Sequence, residues 1–238
     1  MPARVSAVLT SSMEIAERGD RPPTVFLLSP ATLQGLRAQQ LAAPGARFDT
    51  ARRFRSPEGV PIADAFAFMS ALYFRGKIAY ARCFAAPPPG LDGCGVYVIT
   101  PGFGLVPPDW PLTRERFLKI RRTPVDLASR AYHRPLAAAA RTLAALLPGD
   151  ARAVLLGSVA TGKYVDVLLP ILGPRLLFPL CFAGVGDMAR GALLLRAARS
   201  GEELLYGTLD QPRHRRVKSG VKSGAKSAAE NREQEGDE

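Results

Sequence analysis

The chain has 238 residues, of which 47% are hydrophobic, and its formal net charge is +11 at pH 7. This composition is typical of one soluble globular domain with tails. It argues against a membrane protein, because the apolar run 165–172 is far shorter than the roughly 20 residues that a membrane-spanning helix needs. With no signal peptide in residues 1–20 and an odd number of cysteines without metal-site spacing, the expected location is the cytoplasm.

Short apolar runs alternate with amphipathic segments along most of the chain. In chain order, the pattern predicts a strand at 24–30, helices at 36–41 and 64–84, a strand at 96–100, helices at 113–120 and 132–147, a strand at 153–157, a helix at 161–172, a strand at 175–182, a helix at 188–199 and an edge strand at 203–208. Such alternation predicts an α/β fold, specifically a three-layer Rossmann-like domain with a mostly parallel sheet of four to five strands.

This pattern divides the chain into three segments. Residues 1–23 are expected to be flexible, residues 24–210 to form a single α/β domain, and residues 211–238 to be a disordered tail that is first basic and then acidic. The tail carries seven basic and five acidic residues, so residues 1–210 keep a net charge of +9. A basic folded part attracts nucleotides, nucleic acid or acidic proteins without selecting among them.

The most informative motif is AVLLGSVATGKY at 153–164. Gly157, Gly162 and Lys163 fit the phosphate-binding G-x-x-x-x-G-K loop, but Tyr164 stands where Ser or Thr would bind magnesium. Three interpretations remain: a plain turn between a strand and a helix, a site for an anion or nucleotide without hydrolysis, and a degenerate P-loop. In the second of these, Ser158 is a candidate catalytic residue that orients or activates the substrate.

A second glycine-rich turn, AGVGDMARG at 183–191, follows the strand predicted at 175–182. Gly184 and Gly186 would form a tight turn, and Asp187 and Arg190 would lie on the first turn of the next helix. Arg190 is a candidate anion ligand. Asp187 is either the cap of that helix or a catalytic base that also binds a nucleobase or sugar.

Two further segments add candidate residues for ligand binding. Thr100, Gly102 and Gly104 follow the strand at 96–100, where they either line a pocket or form a plain turn. Arg75 lies with Lys77 among aromatic residues on a predicted helix, as part of either a nucleotide clamp or a solvated cationic face. Because ligands bind at the carboxyl ends of parallel strands, the loops 100–104, 157–164 and 184–190 are expected to meet in one cleft.

Conventional catalytic motifs are absent from the sequence. His133 and His214 are the only histidines, and the aspartates show no paired pattern, so neither a catalytic triad nor a metal site is predicted. The sequence assigns no cofactor and no oligomeric state.

Three segments together carry a resemblance to a known family. LYFRGKIAYAR, VYVITPGFGLVPPD and LLFPLCFAGVGDM resemble the conserved motifs of a bacterial α/β family without settled activity. FLLSPA near the start is similar to the opening strand of YaaA-type peroxide-stress proteins, and the strand-loop at 96–109 is similar to the central domain of archaeosine synthase, a tRNA-base-modifying enzyme. The resemblance implies that the following residues line a site: Ser29, Arg75, Thr100, Gly104, Gly184 and Gly186.

These observations give a leading function and two alternatives. The leading one is a cytoplasmic α/β protein whose cleft binds a nucleotide or nucleobase and serves a nucleotide- or nucleic-acid-modifying enzyme. The first alternative is a nucleic-acid-binding or stress-response protein without catalytic activity. The second is a degenerate P-loop protein that binds a nucleotide.

Overall fold

The computed structural model describes residues 21–70, 72–91 and 93–208. The strands in these ranges are β1 (Thr24–Leu28), β2 (Val60–Pro61), β3 (Val96–Thr100), β4 (Gly104–Val106), β5 (Pro111–Leu112), β6 (Arg152–Leu156), β7 (Leu176–Pro179) and β8 (Tyr206–Gly207). The helices are α1 (Leu36–Ala42), α2 (Asp49–Arg55), α3 (Ile62–Ser70), α4 (Leu72–Phe84), α5 (Arg114–Arg122), α6 (Arg130–Leu146), α7 (Val165–Leu172) and α8 (Asp187–Ser200). The expectations for residues 1–20 and for the tail 211–238 lie outside the described residues.

The protein has a mixed α/β fold with a mostly parallel main sheet, as the sequence predicts. Among the described residues this sheet has six strands in the order β4-β3-β1-β6-β7-β8. β1 pairs in parallel with β3 and β6, and β6 pairs in parallel with β7. The short outer strands β4 and β8 pair antiparallel with β3 and β7. The predicted count of four to five strands is too low, because β4 is a three-residue strand within a segment expected to be a loop.

The strand order fixes where a ligand site is expected. Numbered by their own order in the chain, the four parallel strands β1, β3, β6 and β7 run 2-1-3-4 across the sheet. The chain therefore goes to one side of β1 to form β3 and then crosses to the other side to form β6. In open α/β sheets ligands bind at the carboxyl ends of the strands beside such a switch point, which here lies at the ends of β1 and β6.

Alternate side chains of the central strands enter two separate hydrophobic clusters. Phe26 and Leu28 of β1 pack with α4 and the neighbouring helices α1 to α3 and α8. Val25 and Leu27 of the same strand pack with α6 and α7. Because side chains of a strand alternate between its faces, helices cover both faces of β1, and the five residues of this strand are all buried.

Several helix boundaries differ from those expected. The segment predicted as one helix over 64–84 forms two, α3 and α4. Asp64 lies inside the first turn of α3 and is not its cap. The backbone N–H groups of Ile62 and Ala63 donate to the carbonyls of Trp110 and Pro108, so the first turn of this helix has partners without an aspartate cap.

Helices α4 and α8 pack backbone against backbone. A Cβ atom on Gly76 of α4 would lie 2.7 Å from the carbonyl oxygen of Gly191 in α8. A Cβ on Gly191 would lie 2.9 Å from the Leu72 carbonyl oxygen. The two glycines therefore permit a helix approach that any larger residue would block. This contact sets the position of α8, whose first turn carries Asp187 and Arg190, relative to α4.

Candidate functional site at the strand ends

The ends of β1 and β6 meet at Ser29 and Gly157. The backbone N–H and the Oγ of Ser29 both donate to the Leu156 carbonyl, each at 3.2 Å. A Cβ on Gly157 would lie 3.0 Å from the Cβ of Ser29, so the small residue at 157 allows the close contact. Ser29 is thereby fixed at the switch point of the sheet, with only 6% of its surface exposed.

A buried lysine lies against this serine. Lys77 of α4 has 1% of its surface exposed, and its Nζ donates to the carbonyl oxygen and the Oγ of Ser29 at 2.7 and 2.9 Å. Burial disfavours the charged amine and lowers the pKa of Lys77 to about 7, with Arg190 and Lys163 acting in the same direction and Asp187 opposing them. Near neutral pH this amine can therefore gain or lose a proton.

Tyr73, one helical turn before Lys77, supplies the second unusual group. Its ring centroid lies 4.2 Å from the Nζ of Lys77. Its hydroxyl is buried and, among the described residues, no atom is in hydrogen-bond geometry with it. Burial raises the pKa of Tyr73. Arg190 opposes part of that rise through its charge and through the approach of its guanidinium N–H groups to the hydroxyl oxygen, which falls outside hydrogen-bond geometry. A buried hydroxyl without a partner is energetically unfavourable, which makes it a candidate contact for a ligand.

The second glycine-rich turn brings a cation and an anion to the same place. Arg190 of α8 donates to the Phe182 carbonyl from its Nη2 at 2.9 Å, and its guanidinium lies 5.3 Å from the Phe182 ring. Asp187 forms an ion pair with Arg190 at 3.5 Å but keeps 71% of its side chain exposed. Gly186, and not Asp187, is the N-cap of α8. The capping interpretation of Asp187 is therefore wrong, and its carboxylate is directed to Arg190.

The near-P-loop adds Lys163 and Tyr164. Tyr164 is buried, and burial together with Tyr73 and Asp187 raises its pKa above its ordinary value. The Tyr132 hydroxyl donates to the Lys163 carbonyl at 2.6 Å and fixes this end of the loop. A Cβ on Gly162 would lie 2.5 Å from Oδ2 of Asp166. A negative carboxylate thus occupies the first turn of α7, where a P-loop would hold phosphate.

Seven residues from four parts of the chain therefore form one cluster, which we call the strand-end cluster: Ser29, Tyr73, Lys77, Lys163, Tyr164, Asp187 and Arg190. Hydrogen bonds, ring contacts and the mutual influence of their charges link these side chains. It contains the cationic side chains of Lys163 and Arg190, the carboxylate of Asp187, and the Lys77 amine, whose pKa is lowered to about 7. The cluster thus combines a net positive charge with proton-transfer groups.

The candidate residues nearest this cluster lie on its two loops. Gly157 lies beneath Ser29, and Gly162 forms the positive-φ turn before Lys163. Ser158 is half-buried, and its Oγ accepts a hydrogen bond from the Ala160 N–H at 3.4 Å within its own loop. Gly184 and Gly186 are exposed, with no atom within 4 Å of where a Cβ would lie.

The third predicted loop packs elsewhere. The Thr100 Oγ1 donates to the Gly104 carbonyl at 2.9 Å inside the turn between β3 and β4. A Cβ on Gly102 would lie 3.1 Å from Thr123 Oγ1, and one on Gly104 would lie 2.5 Å from the Pro135 carbonyl oxygen. These glycines are thus used for packing against the segment after α5 and against α6. Arg75 is exposed on α4, and no described contact joins it to the cluster.

Sequence reasoning missed Tyr73, and it named Lys77 beside Arg75 without recognising that Lys77 is buried at the centre of the cluster. One signal could have identified them: Tyr73, Lys77, Tyr80, Ala81 and Phe84 recur at the spacing of a buried helix face. A lysine at a position of that face must be buried, and a buried lysine needs partners and titrates readily.

We expect removal of the Tyr73 hydroxyl to stabilise the protein. Tyr73→Phe should raise the free energy of unfolding by about 1–2 kcal/mol, because a buried hydroxyl without a partner is replaced by an apolar edge. Urea unfolding followed by circular dichroism measures the change.

Tyr80→Phe on the same helix is the matched control. The Tyr80 hydroxyl accepts the Leu204 N–H at 2.8 Å and shares a proton with the Tyr206 hydroxyl at 2.6 Å. Its removal should destabilise by about 1–2 kcal/mol, since it leaves a backbone donor unpaired. Equal losses in both variants would mean that Tyr73 has a partner in solution.

Two other types of feature are absent from the described residues. These residues contain no group of three or more His, Cys, Asp or Glu side chains placed to hold a metal ion. No described helix combines the length and apolar character required to cross a membrane. Comparison with protein-family models, with curated proteins and with solved structures gives no match.

Proposed function

We propose that the protein is a nucleotide- or nucleobase-binding enzyme of a three-layer Rossmann-like type, with its site at the strand-end cluster. The single observation that carries the proposal is the buried Lys77 amine. It is hydrogen-bonded to Ser29 at the switch point of the sheet and lies 4.2 Å from the ring of Tyr73, whose hydroxyl has no partner among the described residues. Buried titratable groups of this kind are concentrated at functional sites because structural stability alone rarely favours them.

Each side chain has a role in this proposal. Lys77 exchanges a proton with the substrate, because a pKa of about 7 makes both of its protonation states accessible. Ser29 holds the amine in position through two hydrogen bonds. Lys163 and Arg190 attract the anionic part of the ligand, and Asp187 holds Arg190 and accepts a hydrogen bond from a sugar or base. The predicted catalytic role of Ser158 is not needed here.

A nucleotide panel tests the proposal. Melting temperature is measured with nucleosides, nucleoside mono-, di- and triphosphates and tRNA, for the wild type, Lys77→Met and Arg75→Met. At least one of these ligands should raise the melting temperature of the wild type and of Arg75→Met equally, and that of Lys77→Met by clearly less. Arg75 is the matched control because it lies on the same helix but is exposed.

Equal shifts in all three proteins would place binding outside the strand-end cluster. If the melting temperature did not change with any ligand at concentrations well above millimolar, this result would contradict the proposed function.

A second candidate function is nucleic-acid binding without catalysis, favoured by the surface of α5. The helix carries five cations and one acid, and Lys119 and Arg116 lie over the rings of Phe103 and Trp110 at 4.2 and 4.3 Å. An open depression of about 360 Å³ beside it is lined by charged and apolar residues, Lys119 and Arg122 among them.

This depression shares no lining residue with the strand-end cluster, so substitutions can separate the two functions. Binding of tRNA that weakens steeply with salt and persists in Lys77→Met would favour the α5 surface. The proposed function at the strand-end cluster remains better supported than the one at the α5 surface. Exposed cations on a helix are common, whereas a fully buried lysine is rare.

A further inference from the structure

The strand-end cluster has an excess of positive charge and one hydroxyl that lacks a partner. Lys163 and Arg190 are cations, and Asp187 is the one carboxylate among the charged groups that act on Lys77 in the described residues. That carboxylate is largely exposed and already paired with Arg190, whose side chain is only 14% exposed. Within the cluster the two cations therefore outnumber the one carboxylate, which is already paired.

The hydrogen bonds around Lys77 also indicate that the cluster can bind an anionic group. An ammonium group has three N–H donors, and Ser29 accepts two hydrogen bonds from Nζ. The ring of Tyr73 lies beside the amine, and the hydroxyl of the same residue is a free donor among the described residues. Two donors, one on Lys77 in its charged form and one on Tyr73, thus lack an acceptor oxygen.

We propose that an oxyanion of the ligand, such as a phosphate, is bound by the Tyr73 hydroxyl together with Lys163 and Arg190, and that its arrival draws one proton from solvent onto Lys77. This inference rests on the proposed function, because it names the chemical group that the same site recognises. The lone pair of the neutral amine takes a proton from hydronium or a buffer acid, so one N–H bond forms as the donor's bond to that proton breaks, and no other bond changes.

The charges around Lys77 explain why the proton follows the anion. On its own helix the amine lies against Tyr73 and Phe74, at the end of β1 it contacts Ser29, the loop after β6 contributes Lys163, and α8 contributes Asp187 and Arg190. Burial, Arg190 and Lys163 all disfavour the charged amine, and Asp187 alone favours it. A bound anion compensates the two cations and adds an acceptor, so both effects favour the ammonium form.

Access is provided by the rim of the cluster. Gly184 and Gly186 are exposed and have no side-chain or backbone atom within 4 Å of where a Cβ would lie. Lys163 is half-buried. The loop before α8 therefore leaves room for a ligand beside Arg190.

Calorimetry tests the inference with two named probes, inorganic sulfate and adenosine monophosphate. Sulfate does not titrate near neutral pH, so any proton taken up comes from a change in the protein. Titrations at pH 8 in buffers of different ionisation enthalpy give the number of protons bound per ligand. We expect an uptake of about 0.8 proton for the wild type, because Lys77 changes from mostly neutral to mostly charged.

Two variants of the cluster, and one control variant, test whether the proton uptake belongs to Lys77. Lys77→Met should bind either probe without proton uptake. Tyr73→Phe should keep the uptake and bind about tenfold more weakly, because it loses a hydrogen bond to a charged group. Arg75→Met should behave like the wild type.

The outcomes separate this inference from the proposed function. Anion binding without proton exchange, or uptake that persists in Lys77→Met, would overturn the inference. Binding of neutral adenosine that depends on Lys77, with no binding of either anion, would also overturn it while leaving the proposed function in place. If adenosine and both anions fail to bind, the inference and the proposed function fail together.

Discussion

The stability of the wild-type protein relative to Lys77→Met should rise by about 3 kcal/mol between pH 7 and pH 9.5. Burial lowers the pKa of Lys77 from 10.5 to about 7 in the folded state. Between these two values the unfolded chain holds a proton that the folded protein lacks. The free energy of unfolding therefore increases with pH across this window, and the increase ends as the pH passes the unfolded pKa.

Urea unfolding of both proteins at several pH values measures this difference. The comparison cancels other titrating groups, since the two proteins differ at one residue. Stopping at pH 9.5 also avoids the tyrosines, whose raised pKa values act in the opposite direction above pH 10.

Arg75→Met provides the control for the loss of a cation from the same helix. Its stability profile should run parallel to that of the wild type, because Arg75 is exposed. Parallel profiles for Lys77→Met as well would show that the Lys77 amine is solvated in solution.

The second large effect concerns the contact between α4 and α8. Gly76→Ala should lower the free energy of unfolding by at least about 2 kcal/mol, because its Cβ would lie 2.7 Å from a backbone oxygen that no rotamer change can move. The better helix propensity of alanine, about 1 kcal/mol, offsets only part of the cost of separating the helices. Thermal or urea unfolding measures the loss.

Gly149→Ala is the matched control for this substitution. Gly149 is exposed, and no atom lies within 4 Å of where its Cβ would lie. Its replacement should change the stability by no more than about 0.5 kcal/mol. If Gly76→Ala had the same free energy of unfolding as the wild type, the two helices would have to be farther apart in solution than in this structure.

Local sequence signals predict most of the elements but not their arrangement. The strands β1, β3 and β6 come from compact apolar runs with breakers at their ends, and each lies within two residues of its expected bounds. The strand order, by contrast, depends on which strands pair across more than a hundred residues, as Ser29 and Leu156 do. No local pattern contains that information, so the switch point emerges only from the pairing.

The site could be predicted in part for the same reason. Lys163, Tyr164, Asp187 and Arg190 follow strands and were found through their glycine-rich turns. The loop at 100–104 has the same signature, yet its glycines serve contacts with the segment after α5 and with α6. A glycine permits another group to approach the backbone closely, but that group can be a ligand or another part of the protein. The sequence therefore could not separate a ligand contact from a packing contact.

The direct contact of the α4 and α8 backbones has a consequence for ligand recognition. With no side chains between the helices at Gly76 and Gly191, there is no flexible layer through which α4 could shift against α8. Tyr73 and Lys77 on one helix and Arg190 on the other are thus held at a fixed separation before any ligand arrives. For the proposed ligand this means that little conformational entropy is lost on binding, and that selectivity would depend on the size of the group that fits between the two helices.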